Sequence, residues 1–196
     1  MDRSLVIVDP ATGWLEGARR VESPNSDERP PDATLDLIVV HGISLPPGRF
    51  GEGWIDRFFL NELPAAADPY FATIAEMKVS AHVLVARDGT LTQYVSFNRR
   101  AWHAGRSSYC GRNACNDFSV GIELEGTDDL PYMRVQYKQL AALVRALRRA
   151  YASLRDAEIV GHSDIAPGRK TDPGAAFDWG ALRKLLDRRR ATRRAT

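Results

Sequence analysis

The chain has 196 residues, 44% apolar and 27% charged, the proportions of an ordinary globular domain able to build a core without disulfide staples. Collagen-like, disordered and membrane-spanning classes are excluded, since no window approaches the ~18 apolar residues of a membrane helix. The net charge of +2 is uneven: residues 183–196 carry seven basic groups and one acidic, whereas residues 1–182 carry 20 basic and 24 acidic.

In chain order, Leu5–Val8 reads as a short strand and the polar, proline-rich residues 22–34 as loop. Leu37–Val40 is a compact β-branched run ending at His41-Gly42, the pattern of a buried strand feeding the loop Ile43–Gly53. Trp54–Leu63, with Ile55, Phe58, Phe59 and Leu63 on one face, predicts a short amphipathic helix. Val79–Ala86 and Thr90–Val95 flank Asp88-Gly89 and predict a hairpin. Residues 98–117 read as a long loop. Phe118–Leu124 predicts a strand, with Gly121 inside it where another group approaches closely. The helical period is clearest over residues 134–152, at Tyr137, Leu140, Ala141, Val144, Leu147 and Tyr151. Glu158–Val160 predicts a strand leading into Gly161-His162. A last helix is predicted from Trp179 to about Leu186, followed by a fraying tail.

These elements predict one α/β domain with a central mixed sheet flanked by helices. It is assigned to residues 1–182, with its core at about 36–176; residues 183–196 are the end of the last helix and a basic tail. Cys110 and Cys115 read as the reduced pair of a cytosolic protein, with a disulfide as the alternative; two thiols without further ligands do not make a zinc site. The four-residue apolar run near the N-terminus is shorter than the ~7–15 residues of a secretory core, so a cytoplasmic location is expected.

There are four histidines: His41, His82, His103 and His162. His41 and His162 each close a short apolar strand, a position that holds a side chain rigidly while it faces a cleft. Asp172 follows His162 in GHSDIAPGRKTDPG, a loop whose prolines and glycines allow it to fold back. Two imidazoles and one carboxylate, with a fourth position free, form the donor set of a catalytic zinc. The plainer alternative is that both histidines only hydrogen-bond inside a core. Glu123 faces away from Ile122 and Leu124, and a mid-strand carboxylate is either solvated or functional, here as the base that activates a water. Lys170, one of only four lysines, is a candidate for oxyanion stabilisation or simply an exposed loop lysine.

Five segments occur in an order that marks a family: IVVHG, SAHVLVARDGTLTQYV, AWHAG, CNDFSVGIELEGTD and GHSDIAPGRKTDPG. They resemble, over about residues 3–182, the zinc-dependent N-acetylmuramoyl-L-alanine amidases of the type-2 amidase family. Within it they are most like the AmpD-type cytosolic branch, which recycles 1,6-anhydromuropeptides. HGISLPPG and GIELEGTD favour this branch over the peptidoglycan recognition proteins, which share the fold.

The resemblance implies an amidase/peptidoglycan-recognition-protein-like fold and one Zn2+ per chain on His41, His162 and Asp172. It also implies Glu123 and Lys170 as catalytic residues. It makes His82 structural and puts Trp102 and His103 in the substrate groove, with contacts near the Ala166 backbone and at Lys78. The chain departs from the family pattern at Lys78 (usually Arg), Gly42 (usually Asn) and Ala114 (usually Arg), with Arg112 as a candidate substitute for the last. The implied partner is a small-molecule muropeptide, bound by a monomer with no nucleic acid and no membrane. The rival readings are a periplasmic amidase on intact murein, a non-catalytic peptidoglycan-binding module on the same fold, and a nucleic-acid binder using the basic tail.

Overall fold

Six strands build the main sheet of this computed structural model, which describes residues 5–193, with side chains through Asp187. They are Arg19–Arg20 (β1), Leu37–Ile43 (β2), Val83–Val85 (β3), Leu91–Gln93 (β4), Ser119–Glu125 (β5) and Glu158–Gly161 (β6). Their order across the sheet is β6-β2-β5-β3-β4-β1. The first four run parallel. β4 returns antiparallel to β3 through the Asp88-Gly89 turn, where Gly89 has a φ of 89°, and β1 lies parallel to β4 at the edge. The mixed sheet and its hairpin are those expected from the sequence.

Period-two alternation sorts the central strands onto two faces. Ile38, Val40, Val120, Ile122 and Leu124 pack into one cluster with Leu140, Val144 and Leu147 of α3 (Arg134–Ala150) and with Leu182 of α5 (Trp179–Arg193). On the opposite face Leu37 and Val39 pack with Ala104, Cys115, Phe118 and Ile165. Further along that face, Leu84 and Tyr94 meet α1 (Trp54–Phe59) and α2 (Pro69–Ile74) through Phe58, Phe59 and Phe71. The polar residues that share the second face with Leu37 and Val39 on these two strands are His41 on β2 and Ser119, Glu123 and Glu125 on β5.

Several boundaries differ from the sequence expectation. Leu5–Val8 is not a strand; Val8–Asp9 pairs with Trp14–Leu15 in a separate short ladder that turns at Gly13. β2 runs on to Ile43 and includes His41, because β5 continues beside it in register to Glu125. α1 stops at Phe59, two residues before Asn61 takes a left-handed φ of 62°. α2 was not expected, although its start is marked by Asp68, whose carboxylate accepts the Tyr70 N–H, and by Pro69 in the first helical position. Within residues 98–117 there are two short ladders and a 3-10 turn over Cys115–Asp117. His162 opens a short helix, α4 (His162–Ile165), rather than a loop. α5 continues to Arg193, so the segment expected to be tail is helical that far; residues 194–196 lie outside the described residues.

Candidate active site

The parallel register brings three chain-distant residues to one point. Glu123 is the direct neighbour of His41 across β5 and β2, and Gly161, just before His162, is the neighbour of Val40. The loop after His162 folds back as its prolines and glycines suggest: the Ser163 N–H donates to the Asp172 carbonyl at 3.0 Å. His41 Nδ1 and His162 Nδ1 lie 3.0 Å apart, and Asp172 Oδ2 is 3.2 Å and 3.1 Å from them. A tetrahedral ion at ~2.0–2.1 Å from nitrogen and oxygen donors separates them by roughly 3.4 Å, so this triangle fits such an ion. The far nitrogen of His162, Nε2, donates to the Ala104 carbonyl at 3.3 Å, which leaves the Nδ1 lone pair turned toward Asp172. This is the one group of metal-ligating side chains found among the described residues.

The electrostatics suit a cation. His41 is fully enclosed, and burial pulls its imidazole down to about 4, with the His162 and Lys170 charges adding to that and Asp172 opposing it. Burial raises the Asp172 carboxyl, but the His162 and His41 contacts outweigh it and hold the group well below the usual carboxylate range. Burial and the Asp172 charge push Glu123 well above the usual range, while Lys170 pulls it down. Glu123 Oε2 is buried without a hydrogen-bond partner among the described residues. An unpartnered buried carboxylate oxygen is costly unless something else meets it.

Glu123, His162 and Asp172 line a cavity of about 570 Å3, whereas His41 itself is enclosed and is not among the lining residues. Lys170 is also in the lining, and Leu45, Phe58 and Ile74 are among its apolar residues. The turn that carries Lys170 is held by the Ala166 carbonyl, which accepts from the Arg169 and Lys170 N–H groups. Gly42 also lines the cavity; a Cβ there would overlap the Tyr132 hydroxyl, which donates to the Pro173 carbonyl beside Asp172.

The family model described as N-acetylmuramoyl-L-alanine amidase matches residues 31–175. The chain belongs to the N-acetylmuramoyl-L-alanine amidase family. It is 58% identical, over 90% of its length and 96% of the relative's, to the 1,6-anhydro-N-acetylmuramyl-L-alanine amidase AmpD of Escherichia coli K12. A crystal structure of a selenomethionine derivative of AmpD superposes with a TM-score of 0.88 at 56% identity, covering 92% of this chain and 99% of the other. A more distant amidase, AmiD from E. coli, was solved in complex with the substrate anhydro-N-acetylmuramic acid-L-Ala-D-gamma-Glu-L-Lys. It gives a TM-score of 0.55 at 26% identity, covering 93% of this chain and 66% of that one. The chain is thus an amidase of the AmpD type.

Within this amidase the residues expected at the substrate groove are dispersed. His103 lines the cavity. Lys78 is exposed between Met77 and Val79, which line it. Trp102 turns its indole N–H to Asp27 at 3.1 Å, and Arg112 pairs with Asp36 at 2.6 Å with its guanidinium over Phe118. Neither is among the residues lining the cavity, nor is Ala166, whose carbonyl holds the Lys170 turn. His82 is an internal hydrogen-bonding residue: Nδ1 accepts the Gly121 N–H at 3.0 Å and Nε2 lies 3.1 Å from the Arg99 carbonyl. Cys110 and Cys115 are both free, the first exposed and the second buried. Sequence reasoning missed Arg169, Ser119 and Tyr132. Arg169 donates to the Ala104 and Arg106 carbonyls at 2.7 Å, sharing Ala104 with His162.

Proposed function

We propose that this amidase hydrolyses the amide joining (1,6-anhydro-)N-acetylmuramic acid to L-alanine in soluble muropeptides. In this reading it is a monomeric zinc enzyme of peptidoglycan recycling in the cytoplasm. The observation that carries the reading is the convergence of His41, His162 and Asp172, beside a cavity lined by His162, Asp172 and Glu123, whose Oε2 is unpartnered among the described residues.

His41, His162 and Asp172 would hold the ion. When bound, zinc supplies Lewis acidity that polarises a carbonyl and acidifies water. Glu123 takes the proton of the water that attacks the lactyl carbonyl, a role favoured by a carboxylate whose affinity for protons is raised by burial. Lys170, which lines the same cavity, meets the negative charge that develops on the carbonyl oxygen. Glu123 then returns the proton to the departing alanine amine, so no covalent enzyme intermediate is required. Lys78 and Lys170 are the cations set to meet the acidic peptide, with His103 at the groove floor; Arg112, engaged by Asp36, has no part in this scheme.

Zinc quantification with product analysis on an anhydromuropeptide tests this. One zinc per chain and release of a peptide with free N-terminal L-alanine are expected. Faster turnover of intact sacculi than of soluble anhydromuropeptides would overturn the substrate class and the location together. Glu123→Gln should retain its zinc and lose about 10²–10⁴-fold in kcat; near wild-type turnover in that variant would remove Glu123 as the base.

A further inference from the structure

His103 has partners beyond the groove. It is buried over Gly121 of β5, where any Cβ would overlap its ring. Its Nδ1 lies 2.9 Å from His41 Nε2, and its Nε2 lies 3.1 Å from Ser119 Oγ. Ser119 Oγ in turn lies 2.5 Å from the Cys115 carbonyl.

The protons along this line can be placed from its closed end. A carbonyl oxygen only accepts, so the Ser119 hydroxyl donates to Cys115. Ser119 Oγ then accepts from His103 Nε2–H. A neutral imidazole carries one N–H, so His103 Nδ1 is the acceptor and His41 Nε2–H donates to it. His41 is left with its Nδ1 lone pair turned toward His162 Nδ1 and Asp172 Oδ2. His162 reaches the same state more simply, through the Ala104 carbonyl. Partners on the far nitrogen of a ligating imidazole fix its tautomer and ring orientation.

We infer that His103 and Ser119 are positioning residues, a relay anchored on the Cys115 carbonyl that sets the tautomer of His41 for metal binding. Gly121 belongs to the same device, because its missing side chain is the space His103 occupies. The inference rests on the zinc reading of His41, His162 and Asp172.

Two measurements test it. Long-range 1H–15N NMR spectra of the histidines in the metal-free wild-type protein should show His41 as the Nε2–H tautomer. Competition with a chromophoric chelator should show zinc affinity reduced about 10–100-fold in Ser119→Ala and in His103→Ala. His103→Asn, whose Oδ1 can accept from His41 Nε2–H, should recover most of the loss, which a merely space-filling role would not predict. A His41 Nδ1–H tautomer in the wild type would overturn the relay whether or not any variant folds. So would wild-type zinc affinity in both alanine variants. A wild-type protein that binds no zinc would instead overturn the metal reading itself.

Discussion

Lys170 shows how a residue's role depends on what the backbone does around it. In a chain that otherwise prefers arginine, it sits on a turn tied to the Ala166 carbonyl and lines the cavity beside Asp172. Replacing it with methionine keeps the aliphatic stem and removes the charge. Lys170→Met should lower kcat about 10²–10³-fold with zinc content unchanged and a smaller effect on KM, measured by steady-state kinetics beside metal analysis. The convergence of His41, His162 and Asp172 is legible in the sequence because each histidine closes an apolar strand and the aspartate sits on a loop built to reverse. Ser119, Tyr132 and Arg169 are not legible that way. A serine in a strand, a tyrosine in a loop and an exposed arginine acquire their roles from Cys115, Pro173 and Ala104, and nothing local to them names those partners.

Among the elements, α3 and the hairpin over Asp88-Gly89 are legible from local rules, a 3.6-residue period and a turn dipeptide between apolar runs. The N-terminal ladders are not, since two-residue strands carry no period. α3 also carries a polar residue on its buried face. Gln136 Nε2 donates to the Val85 and Glu125 carbonyls at 3.1 and 3.0 Å, and its Oε1 accepts the Met133 N–H. Gln136→Leu leaves those groups unpaired and should cost about 1–3 kcal/mol in urea denaturation with the slope unchanged.

The segment 22–34, polar enough to read as loop, is held by side chains. Arg29 is partly buried and donates to the Asn116, Asp117 and Ser119 carbonyls, and Arg100 forks between Asp27 and Asp117. The Arg100 hydrogen bond holds the Asp27 carboxyl below its usual value, against a smaller opposing effect of burial. A depressed folded-state value contributes stability that is present above the unfolded value of about 3.9 and is lost as pH falls through the folded one. The stability gap between wild type and Arg100→Gln should therefore be constant near neutrality and narrow below about pH 4. Denaturation curves at several pH values check this, and a gap that widens on acidification would contradict it.

At the scale of the molecule, a strand, a short helix and a loop meet at a single set of donor atoms, so ion binding and folding are linked. Free zinc at about 100 times its dissociation constant stabilises a folded protein by about 2.7 kcal/mol, worth roughly 5–10 °C in Tm for a chain of this size. Titrating zinc into chelated protein should produce a rise of that order, absent in His162→Ala, when followed by thermal melting. An unchanged Tm in the wild type would contradict the linkage.

The in-register pairing of β2 with β5 has a consequence for when the protein becomes active. A slip of one residue would turn His41 or Glu123 to the opposite face, and His41 and His162 are separated by 121 residues. No local fragment can assemble the donor set, because the slow, non-local strand pairings must close first. In the proposed zinc enzyme, catalytic competence is therefore acquired late and all at once, and zinc loading would serve as a readout of correct sheet register in newly made chains.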